Sequence, residues 1–425
     1  MKRLFSLALC CLLIYINIIT VFAAPKKWDG TLVSETAIVI DGSSGQVIYE
    51  KNAHQKMYPA STTKILTGLL AVEYGNMTDN ITYSHNAIYG IERGSSHASI
   101  SVDEVLTLEQ SMYALSIESA NDAAAGIGEY LESKTGKSLS SLMNERAKQA
   151  GALNSNFVNP HGLPDNNHYT TAYDLAMIAK ECIKYDTFKE IFTAKTYSIP
   201  PTNKQSKTRT FNAANWFVNG VFVYDGNFQR EGLLMTKTGW TQEARHTLVT
   251  AFEQDGRTII AVVMSAPRDD DTFGDIEKLF NWAFENYKSV DISGEYIALC
   301  ADEEIYCDDR GRLLIEKENI TANGTSVLLK NDVDANSIKA EFSAPVLTGD
   351  MTTAEMTATL YIENGSDKTV LATVPVSATV SERTVVSVLP QVETSLISDI
   401  TMCILFGLLT FIAVLICDIL IGKRI

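Results

Sequence analysis

Two long apolar runs, one at each end of the chain, constrain everything between them. Residues 4–22 are almost wholly apolar and follow Lys2 and Arg3, and the small residues Ala23 and Ala24 stand just before Pro25. A positive start, an apolar centre and a small-residue end read as a secretory signal peptide over residues 1–24. Cys10 and Cys11 lie inside the run, and neither Leu9 nor Cys10 is the small residue that lipoprotein processing needs before its cysteine. The second run, residues 400–421, carries a single charge, Asp418. It is long enough to span a bilayer core of about 30 Å at roughly 1.5 Å per residue. Lys423 and Arg424 follow at once, and such flanks stay cytoplasmic. No polar face over residues 400–416 supports a helix lying in the interface instead. The expectation is a single-pass cell-membrane protein with an extracytoplasmic body and a cytoplasmic tail at 422–425.

That body is acidic. With 51 Asp and Glu against 35 Lys and Arg, the formal net charge of -16 argues against nucleic-acid binding and suits a soluble surface. A chain of 425 residues exceeds one ordinary core. Apolar strand patterns flank a turn at Asp41-Gly42-Ser43-Ser44-Gly45, and a helix is expected from about Ala60 to Tyr74, stopped by Gly75. Helical spacing dominates 102–182, strands are expected around 218–224, 232–236, 246–252 and 258–265, and a last amphipathic helix over 272–287. Strands, then helices, then strands suggest an α/β (α+β) unit whose antiparallel sheet is covered by helices. From about residue 290 helical periodicity gives way to short β-rich runs. The reading is an α/β segment at 25–289, a small all-β domain at 290–388, a polar link at 389–399 and the anchor at 400–421. Cys182 reads as a core thiol, and spacing alone leaves a Cys300–Cys307 disulfide open. No cysteine–histidine grouping has metal-site spacing.

Three short elements carry chemistry. Ser61-Thr62-Thr63-Lys64 is the only Ser-x-x-Lys in the chain. Pro59 favours a helix start there, which puts Lys64 one turn beyond Ser61 on the same face. The positive end of the helix favours an alkoxide on Ser61, and a desolvated Lys64 beside a second cation can serve as its base. The bland alternative is a capping serine and a solvated lysine. Ser119-Ala120-Asn121 joins two helical stretches, where a hydroxyl can relay a proton and an amide can bind a carbonyl. Ser and Asn also make good helix caps, and alone that reading would be preferred. Ser84-His85-Asn86 has the same form but lies in a strand-like stretch. Lys237-Thr238-Gly239 falls in an expected edge strand, where lysine and threonine can hold a carboxylate and glycine admits a substrate backbone. A second copy, Lys134-Thr135-Gly136, reads as the end of a helix.

Taken together and in this order, the elements resemble the penicilloyl serine transferase superfamily, most closely the serine-type D-alanyl-D-alanine carboxypeptidases, or low-molecular-mass penicillin-binding proteins. Tyr58-Pro59-Ala60-Ser61, Asn159-Pro160-His161-Gly162-Leu163 and Thr171-Ala172-Tyr173-Asp174-Leu175 extend the resemblance over roughly residues 30–290. It implies the penicillin-binding, β-lactamase-like transpeptidase fold. Ser61, Lys64, Ser119 and Asn121 would be catalytic, and Lys237, Thr238, Gly239 and Trp240 substrate-binding. Lys64 would take the Ser61 proton, and Ser61 would attack the bond between two terminal D-alanines of a peptidoglycan stem peptide. The N–H groups of Ser61 and Trp240 would form an oxyanion hole, each such donor worth roughly 3 kcal/mol. Ser119 would pass the proton to the leaving D-alanine. β-Lactams would acylate Ser61, and neither metal nor organic cofactor is implied. His161 reads as loop structure rather than a base. Two departures stand out: Ala120 and Arg245 occupy places where relatives more often carry glycine. Rival readings are an endopeptidase on the same fold, a β-lactamase, for which no glutamate motif lies between Asn121 and Lys237, and a non-enzymatic penicillin sensor.

Overall fold

The computed structural model describes residues 30–220, 222–223, 226–227, 231–307, 313–349 and 351–382. The expected signal peptide, polar link and membrane anchor lie outside the described residues. Among the described residues, no helix is long and apolar enough to cross a membrane.

Five strands build the central sheet: β1 (Thr36–Asp41), β2 (Val47–Lys51), β3 (Leu233–Thr241), β4 (Arg245–Gln254) and β5 (Arg257–Ala266). They are antiparallel and ordered β2-β1-β5-β4-β3, so β3 is an edge, as its sequence suggested. The two ends of the catalytic segment meet in the middle, where Ile38 sits opposite Val262. Strand alternation sends Ala37, Val39, Ala261 and Val263 to one face and Ile38, Ile40, Val262 and Met264 to the other. Phe273, Ile276, Leu279 and Phe280 of a C-terminal helix, Asp269–Asn286, cover the first face. A helical cluster covers the second. Because both faces are buried, these strands read as unbroken apolar runs.

That cluster comprises α1 (Lys64–Tyr74), α2 (Leu108–Ile117), α3 (Asn121–Thr135), α4 (Leu139–Gln149), α5 (Ala172–Cys182) and α6 (Asp186–Phe192); the helix over Asp269–Asn286 is α7. Every residue of α1 from Lys64 to Ala71 is buried, so this helix is surrounded on all sides. Truncating Leu66 or Leu69, both wholly buried, to alanine is expected to cost about 2–5 kcal/mol. The Thr107 hydroxyl and the Gln110 side chain close a capping box at the start of α2.

The structure departs from the sequence reading at several places. The expected strand at 218–224 begins instead as a helical turn, Trp216–Asn219, ended by Gly220 at a φ of 67°, and among the described residues Phe222–Val223 beyond it is extended and pairs with Gly226–Asn227. Residues 150–171 interrupt the helical stretch as a loop stitched by the isolated bridges Met57–Thr170 and Asn156–Tyr169. Ser84 does not lie in a strand. It caps the short helix His85–Tyr89, accepting from the Ala87 N–H, and its hydroxyl donates to Glu129 at 2.8 Å. Gly136 takes a φ of 70° at the end of α3, the expected helix stop.

The chain divides into two compact units. One holds residues up to 301 with 321–343 and 356–376; the other holds 302–320, 344–355 and the described residues from 377 on. Within the first, Tyr287–Ile292 pairs with Thr325–Lys330. Within the second, Glu304–Tyr306 pairs with Leu313–Glu316, which also meets Ser381–Glu382. Among the described residues the β-rich stretch includes one α-helix, Gly294–Leu299, capped by the Ser293 hydroxyl and too short to register as a periodic pattern.

Arg245 occupies the first position of β4 at a φ of 57°, a left-handed conformation that costs a side chain about 1–2 kcal/mol. Its side chain is exposed. Arg245→Gly should therefore stabilise the fold by about 1 kcal/mol, read as a rise of a few degrees in the calorimetric Tm.

Candidate active site

Pro59 opens a 3-10 turn, Ala60–Thr63, that runs directly into α1. Ala60 takes a φ of 47°, and the turn is braced where the Thr62 hydroxyl donates to the Pro59 carbonyl at 2.6 Å. One turn beyond Ser61, Lys64 is fully buried. Its Nζ lies 2.8 Å from Ser61 Oγ, 2.6 Å from Asn121 Oδ1 and 2.8 Å from the His161 carbonyl oxygen. Burial, reinforced by the charge of Lys237, holds the Lys64 ammonium well below the usual lysine range, while Asp122 acts in the opposite direction. A neutral amine has two N–H donors and one lone pair. The site offers two carbonyl-type acceptors and one hydroxyl, so the donors go to Asn121 and His161 and the lone pair faces the Ser61 proton. This is the arrangement of a base and its nucleophile.

Ser119 and Asn121 are not caps. Asn121 is the first residue of α3, whose N-cap, Ala120, makes no side-chain bond, and Ser119 stands between α2 and α3 at a φ of 54°. A strained, left-handed serine at a helix junction is a feature of functional sites rather than of capping. Lys237 Nζ donates to Ser119 Oγ at 2.9 Å and to the Thr238 carbonyl at 2.8 Å. Buried to 3% exposure, it points inward at Ser119 instead of standing free at the surface, and burial pushes its pKa down to about 7. The neighbouring Asp122 carboxylate accepts from the N–H groups of Ala98 and Ile100, and the Asn121 N–H donates to the Ser96 carbonyl, which ties the 96–100 loop to the site.

Gly239 serves the fold more directly than a strand glycine that merely admits substrate. A Cβ there would stand 2.8 Å from the Ser61 nitrogen and 3.0 Å from that of Thr62. Only a hydrogen lets β3 lie against the nucleophile turn and leaves the Ser61 N–H unobstructed. Gly162, at a φ of 87°, is equally constrained, since a Cβ would fall 1.8 Å from the Ala60 carbonyl oxygen. Around it, Asn159 accepts from the Gly162 N–H and donates to the Leu163 carbonyl, and Thr67 of α1 donates to the Pro160 carbonyl. This loop presents the His161 backbone oxygen to Lys64. The His161 ring is turned to its own loop, with Nδ1 accepting from the Leu163 N–H, and burial pushes its pKa down to about 3. His168 accepts from the Val158 N–H through Nδ1 and meets Thr63 Oγ1 through Nε2 at 2.9 Å. Its pKa is pushed down to about 4 by burial. Neither ring is a base for Ser61.

Of the eight residues singled out in the sequence, Lys64 bonds both Ser61 and Asn121, Lys237 bonds Ser119, and Gly239 lies against the Ser61 nitrogen. Ser61, Asn121, Gly162 and Trp240 line a cavity of about 410 Å3. Ser119, Lys237 and Thr238 line another of about 220 Å3. Trp240 is 63% exposed at the mouth of the larger one. Missed in the sequence were the His161 carbonyl and the Thr63–His168 contact. The first is a backbone atom with no side-chain signature, although the Asn-Pro-His-Gly-Leu run around it was visible.

A serine and a buried lysine at the head of a core helix, under the edge strand of an antiparallel sheet, define a serine acyl-transfer site of the penicillin-binding type. Residues 21–268 match the peptidase S11 family, described as D-alanyl-D-alanine carboxypeptidase, and the chain belongs to that family. It is 30% identical over 396 residues to the D-alanyl-D-alanine carboxypeptidase DacF of Bacillus subtilis, covering 89% of this chain and 94% of that one. It is 30% identical over 280 residues to DacC of Escherichia coli, covering 64% of this chain and 66% of the relative. The structure of the Streptomyces K15 DD-transpeptidase superposes with a TM-score of 0.54 at 25% identity, covering 60% of this chain and 98% of that one.

The Lys237 shift has a consequence for stability. The folded chain sheds this proton near pH 7, while an exposed lysine keeps it to 10.5, so between those values the unfolded state binds more protons. Stability should therefore rise with pH across that window, by about 2 kcal/mol from pH 7 to 9 for this group. Denaturant unfolding at both pH values should show that much of the rise lost in Lys237→Met.

Proposed function

We propose that this protein performs its family's reaction, serine D-alanyl-D-alanine carboxypeptidation, through an acyl-enzyme on Ser61. The observation that carries this reading is the Lys64 amine, held between Asn121 and the His161 carbonyl with its third neighbour the Ser61 hydroxyl. Lys64 takes the Ser61 proton as Oγ attacks the carbonyl between the two terminal D-alanines of a stem peptide. Charge developing on that oxygen is met by the Ser61 N–H, which Gly239 leaves open, and by the Trp240 N–H at the strand edge. With the Asn121 oxygen engaged by Lys64, its Nδ2 is the group of that amide that would donate to a substrate carbonyl. Ser119, bonded to Lys237, returns the proton to the departing amine, and Thr238 takes the terminal carboxylate with Lys237 behind it. Water then frees the enzyme. β-Lactams, whose ring imitates the same peptide end, stop at the acyl stage.

The wider organisation supports the same reading. An export signal at 1–24 and an anchor at 400–421 would hold the catalytic segment, 25–289, and the β-rich segment, 290–388, on the outer side of the cell membrane, close to its polymer substrate.

The full chain should release one D-alanine from a D-alanyl-D-alanine pentapeptide, and Ser61→Ala should release none. Gly239→Ala should lower acylation by a labelled penicillin by about 100-fold or more, the scale of one lost oxyanion donor. Equal product from the chain and from Ser61→Ala, by mass spectrometry, would remove Ser61 as nucleophile. Cleaved cross-linked dimers in place of free D-alanine would mark an endopeptidase.

A further inference from the structure

One wall of the larger cavity is held by charged groups that never reach the reacting atoms. Glu92, Arg93, Gly94 and Ser95 line that cavity with Ser61 and Asn121, and the same four line a second cavity of about 450 Å3 with Ile88, Tyr89 and Ile100. The segment therefore stands as a partition with open space on both sides, and Glu92, Arg93 and Gly94 are exposed. Little packing fixes such a partition, so the bonds at its end decide where it stands. Residues 96–100 are that end. The Ser96 carbonyl accepts from the Asn121 N–H. The N–H groups of Ala98 and Ile100 donate to the Asp122 carboxylate. From another part of the chain, Arg209 Nη1 donates to the Ala98 carbonyl at 3.2 Å and to the Ser99 carbonyl at 3.1 Å.

Arg209 begins the second strand of a hairpin in which Thr196–Ile199 pairs with Arg209–Asn212. Its guanidinium is mostly buried, and Nη2 meets Glu104, whose side chain is wholly buried. Glu104 is held in turn by the Thr202 hydroxyl at 2.7 Å and the Ser101 N–H at 2.9 Å. A buried ion pair gives up much hydration and is weak evidence of stabilisation in itself. The Arg209 Nε–H, buried with no hydrogen-bond partner among the described residues, adds to that cost. What the pair supplies is placement. Guanidinium donors form a rigid planar array, so one group binds Glu104 and two carbonyls at set positions, and such charge-assisted bonds are about twice as strong as neutral ones. The carbonyls it holds belong to a loop, not to the core.

We infer that Arg209 is a positioning residue for the acyl-donor half of the substrate: through Ala98 and Ser99 it fixes the 92–96 partition and with it the shape of the larger cavity. The inference rests on the acyl-enzyme reading of the site. In that reading the departing D-alanine lies by Ser119, Thr238 and Lys237 at the smaller cavity. The residues that precede the attacked carbonyl then extend past Ser61 on the other side, into the larger one. Arg209 lines neither cavity, and Lys64 has its three neighbours without it. Loss of Arg209 therefore loosens the grip on a long stem peptide while base and nucleophile stay in place. A peptide too short to reach the partition is indifferent to it.

Arg209→Lys keeps a positive charge opposite Glu104 but gives up the planar array of donors. For a D-alanyl-D-alanine pentapeptide it should raise KM roughly three- to tenfold, the scale of one or two hydrogen bonds, with kcat changing less than about twofold. For N-acetyl-D-alanyl-D-alanine, in which only an acetyl group precedes the two D-alanines, KM should stay as in the unmutated chain. Arg209→Met combined with Glu104→Gln removes both charges and leaves neither unpaired. It should give the same split, and it decides the matter if Arg209→Lys does not fold. An unchanged KM for the pentapeptide, an equal rise for both substrates, or a fall in kcat alone overturns the inference, since a merely structural role acts on both substrates alike. Failure of the unmutated chain to release D-alanine overturns instead the reading of the site on which it rests.

Discussion

The hydrogen-bond count of one buried nitrogen organises this molecule. Lys64 Nζ has three close neighbours, two of which can only accept, and it sits where a charged ammonium would be strongly disfavoured. The neutral form satisfies that environment completely, and in doing so directs a lone pair at Ser61. Each neighbour comes from a different part of the fold: Ser61 from the turn before α1, Asn121 from the head of α3, His161 from the 159–163 loop. Desolvation comes from α1 being surrounded, and the second positive charge from the edge strand.

Backbone geometry at the site is correspondingly forced. Ala60 and Ser119 both hold positive φ without being glycine, and each lies next to or within the chemistry. Such conformations persist only where surrounding contacts over-determine them. The Pro59 carbonyl, bonded by Thr62 and by Thr247 of β4, holds the first, and the α2–α3 junction holds the second. Gly239 and Gly162 supply the complementary allowance, removing the atoms that would keep β3 and the 159–163 loop away from the nucleophile turn. The Arg245 departure is of the same geometric kind but lies on the exposed hairpin, where a left-handed arginine costs stability without touching the base.

The two active-site lysines show how burial together with a neighbouring charge can set identical side chains apart. Both are desolvated, yet Lys64 also feels the charge of Lys237 and is displaced far from its ordinary range, whereas Lys237 shifts only to about 7. Groups whose environments drive their protonation apart are the ones that divide base from cation. The two histidines beside the site, His161 and His168, are likewise kept neutral by burial and used as acceptors or bridges within the loop that backs Lys64.

Much of this was legible in the sequence because its determinants are local. The Ser61–Lys64 spacing, Pro59 before it, the apolar strands and the edge placement of Lys237-Thr238-Gly239 are properties of neighbouring residues, and local sterics and periodicity suffice to read them. The reading failed where non-local packing decided the outcome. Ser119-Ala120-Asn121 taken alone suited a cap as well as a site, and it is β3, bringing Lys237 to Ser119 from 118 positions away, that sets the serine against the second lysine. Residues 218–224 carried strand-like composition, yet Trp216–Asn219 closed into a helical turn, with the Phe217 and Trp216 rings packed on Phe273 of α7. The sequence alone determined which groups could do the chemistry. Only the tertiary structure decided which of them would be neutral, which would touch and which backbone carbonyl would complete the site, because desolvation and hydrogen-bond geometry are properties of segments that meet in space.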